Sequence, residues 1–143
     1  MIDIYIDGAD LRKIAHYAAD SEVKGFTTNP SLLKAAGVTN YAEFGKLAAA
    51  AALGKPISFE VLADDLPQIE KQAQTISRWG SNVFVKIPIT TTKKDSTRNI
   101  IRRLLERGVC VNVTAVMTVE QVQRVNQTVA GLSTPCIVSV FCG

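Results

Sequence analysis

The chain is short of several things, and each shortage removes a class of function. It holds one histidine and three cysteines. No CxxC spacing is present, so neither a zinc site nor a thioredoxin-like redox pair is indicated. Cys110, Cys136 and Cys142 are odd in number and lie in or beside apolar, strand-like runs. They read as reduced, buried thiols of a cytosolic protein, not as a disulfide frame. The dinucleotide fingerprint GxGxxG is missing after the first strand pattern, and so is a P-loop. No apolar run approaches a membrane span; residues 47–53 are alanine-rich but short. The formal net charge of +3 is too small to argue for nucleic acid by itself. The chain opens on a strand pattern with an aspartate, so no signal peptide is expected. His16 falls on the polar side of a helix pattern and reads as a surface residue.

What is present is an ordinary globular composition. The 143 residues are 47% hydrophobic and 20% charged, enough for one domain with a core. Strand and helix patterns alternate from end to end. Strands are expected near residues 2–7, 23–28, 56–61, 83–88, 109–114 and 135–141. Asp10 caps a helix over residues 11–19, with Leu11, Ile14, Ala15 and Ala18 inward. Pro30 opens a short helix that Gly37 stops, and Asn40 caps a longer one that ends at Gly54. Asp64 or Asp65 starts a helix running to Trp79. Asp95 or Ser96 caps an arginine-rich helix closed by Gly108, whose arginines read as a solvated face. Thr118 and Gln121 form a capping box ahead of residues 119–129.

Such alternation means a parallel α/β arrangement with a unit of roughly 25 residues. An open doubly wound sheet and a β/α barrel both fit it. The strand ends favour the barrel. Each strand delivers a polar residue at or near its C-terminal end: Asp7, Asn29, Glu60, Lys86, Asn112 with Thr114, and Ser139. A closed barrel gathers ligand groups from all its strands at one mouth. The expected fold is therefore a (β/α)8 TIM barrel of which only the first six βα units are present. Residues 1–143 are expected to form a single domain lacking the last two strands and C-terminal helices, either a piece of a longer protein or a barrel whose missing quarter comes from elsewhere.

Lys86 stands in the middle of the run Val83-Phe84-Val85-Lys86-Ile87-Pro88. Burial of an ammonium there is expected to favour the neutral, nucleophilic amine, which is how Schiff-base lysines arise. An imine on a ketose is an electron sink for carbon–carbon cleavage. That chemistry needs a base, an acid that positions water, and neutral hydrogen bonders for the sugar hydroxyls. Asp7, Glu60 with Thr114, and Asn29, Asn112 and Ser139 supply that set. Metal binding is disfavoured, because the carboxylates stand on separate strands beside a cation.

Asp7, Thr27-Thr28-Asn29-Pro30-Ser31-Leu32, Ser58-Phe59-Glu60-Val61, Val85-Lys86-Ile87-Pro88, Asn112-Val113-Thr114 and Ser139-Val140-Phe141-Cys142-Gly143 fall in an order and spacing that resembles the transaldolase family, in its small subfamily without long insertions. The resemblance implies transfer of a dihydroxyacetone unit between sugar phosphates in the pentose phosphate pathway, in the cytoplasm, with no cofactor and no metal. It implies Lys86 as the Schiff-base lysine, Asp7 as acid/base for carbon–carbon cleavage, and Glu60 with Thr114 as holders of the catalytic water. Asn29, Asn112 and Ser139 would bind the dihydroxyacetone part, with Thr27 and Phe141 as further substrate contacts. The implied partners are sugar phosphates and further copies of the chain, with neither nucleic acid nor membrane. A sister activity, fructose-6-phosphate aldolase, usually goes with glutamine at position 60 and tyrosine at position 141, so Glu60 and Phe141 favour transfer; the other alternative is an inactive truncated barrel acting as an assembly module. Gly8 and Val140 are mild departures. The family's phosphate-gripping arginine would follow Gly143.

Overall fold

The computed structural model describes residues 2–141. Its elements run β1 (Ile4–Asp7), α1 (Leu11–Ala18), β2 (Val23–Thr27), α2 (Pro30–Ala35), α3 (Tyr41–Ala51), β3 (Ile57–Glu60), α4 (Leu66–Ile76), β4 (Val83–Pro88), α5 (Arg98–Glu106), β5 (Val111–Val116), α6 (Val119–Val129) and β6 (Cys136–Val140). The strands pair in parallel, and neighbours follow chain order. This is the α/β arrangement of the first six βα units of a (β/α)8 barrel. The chain forms two compact units, one made of residues up to Glu60 with Ile76–Phe84, the other of Val61–Thr75 with Val85 onward.

In the first unit, Asp10 caps α1 by accepting from the N–H groups of Arg12 and Lys13 at 2.9 and 3.2 Å. Ile14 and Ala18 turn inward, but Ala15 is exposed, so the buried stripe of α1 is narrower than its apolar pattern. β1 likewise begins at Ile4, and Ile2 is exposed. α3 packs on α1. Its apolar face, Phe44, Ala48 and Ala49, covers a core of Phe26, Ile57 and Phe59. Two glycines permit close approach. A Cβ at Gly25 would stand 2.8 Å from the Pro56 carbonyl and 2.3 Å from the Tyr5 ring. One at Gly45 would stand 2.2 Å from the Trp79 ring. Trp79 packs edge-to-face on Tyr41 and Phe59, with ring centroids 4.9 and 5.5 Å apart. β4 begins in this unit, where the Ile57 N–H donates to the Asn82 carbonyl at 3.0 Å.

In the second unit, Asp65 caps α4 through the Gln68 N–H at 3.1 Å. Asp64 instead accepts from the Thr92 N–H at 2.8 Å and from the Thr92 hydroxyl. Those two bonds hold its carboxyl below the usual carboxylate range. Asp95 does not cap α5, and the Ser96 hydroxyl accepts from the Arg98 N–H at 3.4 Å from one residue before the N-cap position. The N-cap is Thr97, whose buried hydroxyl donates to the Pro88 carbonyl at 2.6 Å and so ties the helix start to the end of β4. The arginine face of α5 is largely engaged. Arg98 Nε and Arg102 Nη1 each donate at 2.9 Å to Thr128, to its hydroxyl and carbonyl. Arg103 grips both oxygens of Glu70, at 3.2 and 2.6 Å. These contacts fix α5 between α6 and α4. α6 carries the complete Thr118/Gln121 capping box.

The fifth strand lies two residues later than the apolar run suggested. A bulge explains why it continues past Thr114. Register passes from Val113↔Val138 to Val116↔Val140, three residues of β5 against two of β6, and Ala115 takes φ 56°. Cys110 and Cys136 are free and half-buried, less enclosed than expected. Burial, and then the neighbouring Cys110, pushes the Cys136 thiol up to about 11. Cys142 and Gly143 lie outside the described residues. Among the described residues no helix is long and apolar enough to cross a membrane.

Candidate active site

The site residues read from the sequence fall into two sets, one in each unit. In the first unit, Asp7 is in register with Thr27, and Thr27 with Ser58. Side chains alternate along a strand, so Glu60, two residues beyond Ser58, shares the face of Asp7, Thr27 and Ser58. Asp7 is exposed, Ser58 is buried, and Thr27, Asn29 and Glu60 are intermediate. Asn29 follows the end of β2 in an extended conformation. It also serves as the N-cap of α2, its Oδ1 accepting from the Leu32 N–H at 2.9 Å. The carboxamide oxygen therefore has a structural task, and the amide NH2 is the part that could address a substrate.

The second unit holds Lys86, Asn112, Thr114 and Ser139. Lys86 is 7% exposed, on a strand buried along nearly its whole length. It is in register with Asn112, and Pro88 with Thr114. Paired residues of adjacent parallel strands project to the same side about 4.8 Å apart, so Lys86 and Asn112 are direct neighbours. Asn112 is itself buried, and Ser139 Oγ donates to its Oδ1 at 2.8 Å. That bond orients the carboxamide and turns its NH2 away from Ser139. Thr114, two residues on, shares this face, and its hydroxyl is buried without a hydrogen-bond partner among the described residues. Orphaned buried hydroxyls cost about 1–3 kcal/mol, so a bare Thr114 is poor design for stability alone. Phe141 lies just past β6 and is half exposed. Its N–H donates to the Val116 carbonyl at 2.8 Å, which holds its main chain beside the bulged strand.

Each set matches a recognisable need: an amine among neutral amide and hydroxyl groups, and two carboxylates on one face. Among the described residues no group of three or more His, Cys, Asp or Glu side chains could hold a metal ion. Residues 4–143 match the family described as Transaldolase/Fructose-6-phosphate aldolase.

The chain belongs to the transaldolase/fructose-6-phosphate aldolase family.

Among the curated proteins it is similar to a "Probable transaldolase" of Dehalococcoides mccartyi, with 33% identity over 82% of this chain and 53% of that protein. One from Methanococcus maripaludis is 33% identical over 82% of this chain and 52% of its own length. For one from Rhizorhabdus wittichii the figures are 32%, 97% and 59%. The chain thus spans about half the length of the curated relatives it matches.

Sequence reasoning missed Tyr41. It opens α3 and sends its hydroxyl to the main-chain carbonyl of Glu60 at 2.8 Å. Burial, and then the Glu60 carboxylate, push its pKa well above the ordinary phenol value.

Proposed function

We propose that this chain carries transaldolase chemistry: transfer of a dihydroxyacetone unit from a ketose phosphate, such as fructose 6-phosphate or sedoheptulose 7-phosphate, to an aldose phosphate. The observation that supports it most is Lys86, buried inside β4 and in register with Asn112. In this reading the Lys86 amine attacks the ketose carbonyl to give a carbinolamine, which loses water to form an imine. The imine accepts the electron pair released when the adjacent carbon–carbon bond breaks and an aldose phosphate leaves, the three-carbon unit staying on the lysine. Asp7 takes the hydroxyl proton that starts the cleavage and returns it when the new bond forms. Glu60 and Thr114 hold the water that leaves on imine formation and attacks on its hydrolysis, a use that gives the Thr114 hydroxyl a partner. The Asn112 carboxamide, oriented by Ser139, and the Asn29 NH2 bind the hydroxyls of the dihydroxyacetone part. Thr27 and Phe141 complete the substrate contacts. No cofactor enters, and the reaction is a cytoplasmic step of the pentose phosphate pathway carried out by a homo-oligomer. A native mass equal to one chain would contradict the oligomer.

Glutamate at position 60 and phenylalanine at position 141 favour transfer over release of free dihydroxyacetone. The test is a paired assay with fructose 6-phosphate, with and without an aldose phosphate acceptor. Transferase chemistry predicts multiple turnover only when the acceptor is present. Free dihydroxyacetone at the same rate without acceptor would identify the aldolase instead, and no turnover in either assay would reject both.

A further inference from the structure

The β2–β3 ladder has a gap at the residue whose placement matters most. Parallel pairing uses alternate residues. The Phe26 N–H donates to the Pro56 carbonyl at 2.8 Å, and the Thr28 N–H to the Ser58 carbonyl at 3.1 Å. The next step of that series would bring residue 30 to the Glu60 carbonyl. Residue 30 is proline and has no N–H to give. The Tyr41 hydroxyl takes its place, donating to the Glu60 carbonyl at 2.8 Å.

The phenol is held firmly. Its ring packs edge-to-face on Trp79, with centroids 4.9 Å apart and planes at 81°, and on Phe59 at 6.3 Å. Gly45 makes room for Trp79, since any Cβ there would enter the indole. Asn40 caps the helix that Tyr41 begins, accepting from the Glu43 N–H at 3.2 Å. Beside it the Thr28 hydroxyl donates to the Ser58 carbonyl at 3.1 Å. Thr28 and Ser58 are buried, so the end of β3 is set in a dry network.

We propose that Tyr41 is a positioning residue for Glu60, its hydroxyl standing in for the ladder donor that Pro30 lacks and so fixing where the Glu60 carboxylate leaves the strand. The inference rests on the reading of Glu60 as the water-holding acid. Tyr41 itself touches the main chain, not the substrate. A proline at the start of α2 and a tyrosine at the start of α3 are then one device: the first turns the chain sharply after Asn29, and the second repairs the strand end that the turn leaves open.

The test uses the full chain in four forms: unaltered, Tyr41→Phe, Glu60→Gln, and both. Tyr41→Phe keeps the ring contacts and removes one hydrogen bond. The first readout is the 13C carboxyl resonance of Glu60, assigned by its loss in Glu60→Gln. It must move in Tyr41→Phe while the other glutamates stay; an unmoved resonance overturns the inference. The second is hydrolysis of the Lys86 adduct, trapped at intervals with borohydride. Tyr41→Phe should slow it about tenfold with the half-saturating substrate concentration unchanged. In the Glu60→Gln background the same change should cost less than about twofold. Equal losses in both backgrounds would make Tyr41 a fold residue only and overturn the inference. If no form yields an adduct, the transaldolase reading fails, and the carboxyl resonance still decides whether Tyr41 sets Glu60.

Discussion

A threonine hydroxyl buried without a partner is a poor residue for folding, and Thr114 has none among the described residues. Valine has nearly the same shape and no hydroxyl to desolvate. Thr114→Val should therefore raise stability, by up to about 1 kcal/mol, because the penalty for an unsatisfied group disappears. The same change should slow imine turnover if the hydroxyl steadies a water. Thermal unfolding and single-turnover kinetics measure the two effects separately. A lowered melting temperature would mean the hydroxyl already has a strong partner in the folded chain. Ser139 and Asn112 show the opposite condition, since the Ser139 hydroxyl satisfies Asn112 Oδ1 at 2.8 Å. The lysine, amide and threonine of this set could be picked out in the sequence because each interrupts a β-branched run with a polar group. The Ser139–Asn112 bond could not, since it depends on the β5–β6 register.

At the scale of elements, the alternation of patterns revealed the order of strands and helices, and the caps at Asp10, Asn40 and Thr118 fell where short polar side chains precede apolar periodicity. Three features were hidden. The β5 bulge places Ala115 at positive φ, a conformation that no alanine announces. The Thr97 hydroxyl prefers the Pro88 carbonyl to its own helix, because β4 ends within reach. The substitute donor for Pro30 comes from a helix start eleven residues away, a distance local patterns do not cover. Close approaches are hidden in the same way, and they can be tested. Gly25→Ala would force a methyl against the Pro56 carbonyl, which belongs to the main chain and cannot swing aside. Overpacking of that kind costs about 1–3 kcal/mol. Chemical denaturation should show the loss with an unchanged denaturant slope. A loss below about 0.3 kcal/mol would mean β2 is not pinned there.

At the scale of the whole molecule, charge is spent on joining helices. Glu70 receives Arg103 and Arg107, and its side chain is only 21% exposed. The Arg103 hydrogen bond, with the charges of both arginines, holds its carboxyl below the usual 4.5 despite partial burial. A carboxylate lowered in the folded state stabilises it above the unfolded value. That contribution fades as pH falls from 4.5 through the folded value. The unaltered chain should therefore lose melting temperature below pH 4.5 more steeply than Glu70→Gln does. At neutral pH the variant should be weaker by under about 1 kcal/mol, as for other partly exposed pairs. Parallel acid profiles for the two proteins would contradict the assignment.

The proposed reaction depends on one amine. Reduction with borohydride in the presence of fructose 6-phosphate, followed by peptide mass mapping of the full chain, tests it most directly. The expected result is a single stable dihydroxyacetone-derived adduct, on Lys86, that disappears in Lys86→Ala. No adduct, or one carried by a different lysine, would contradict it.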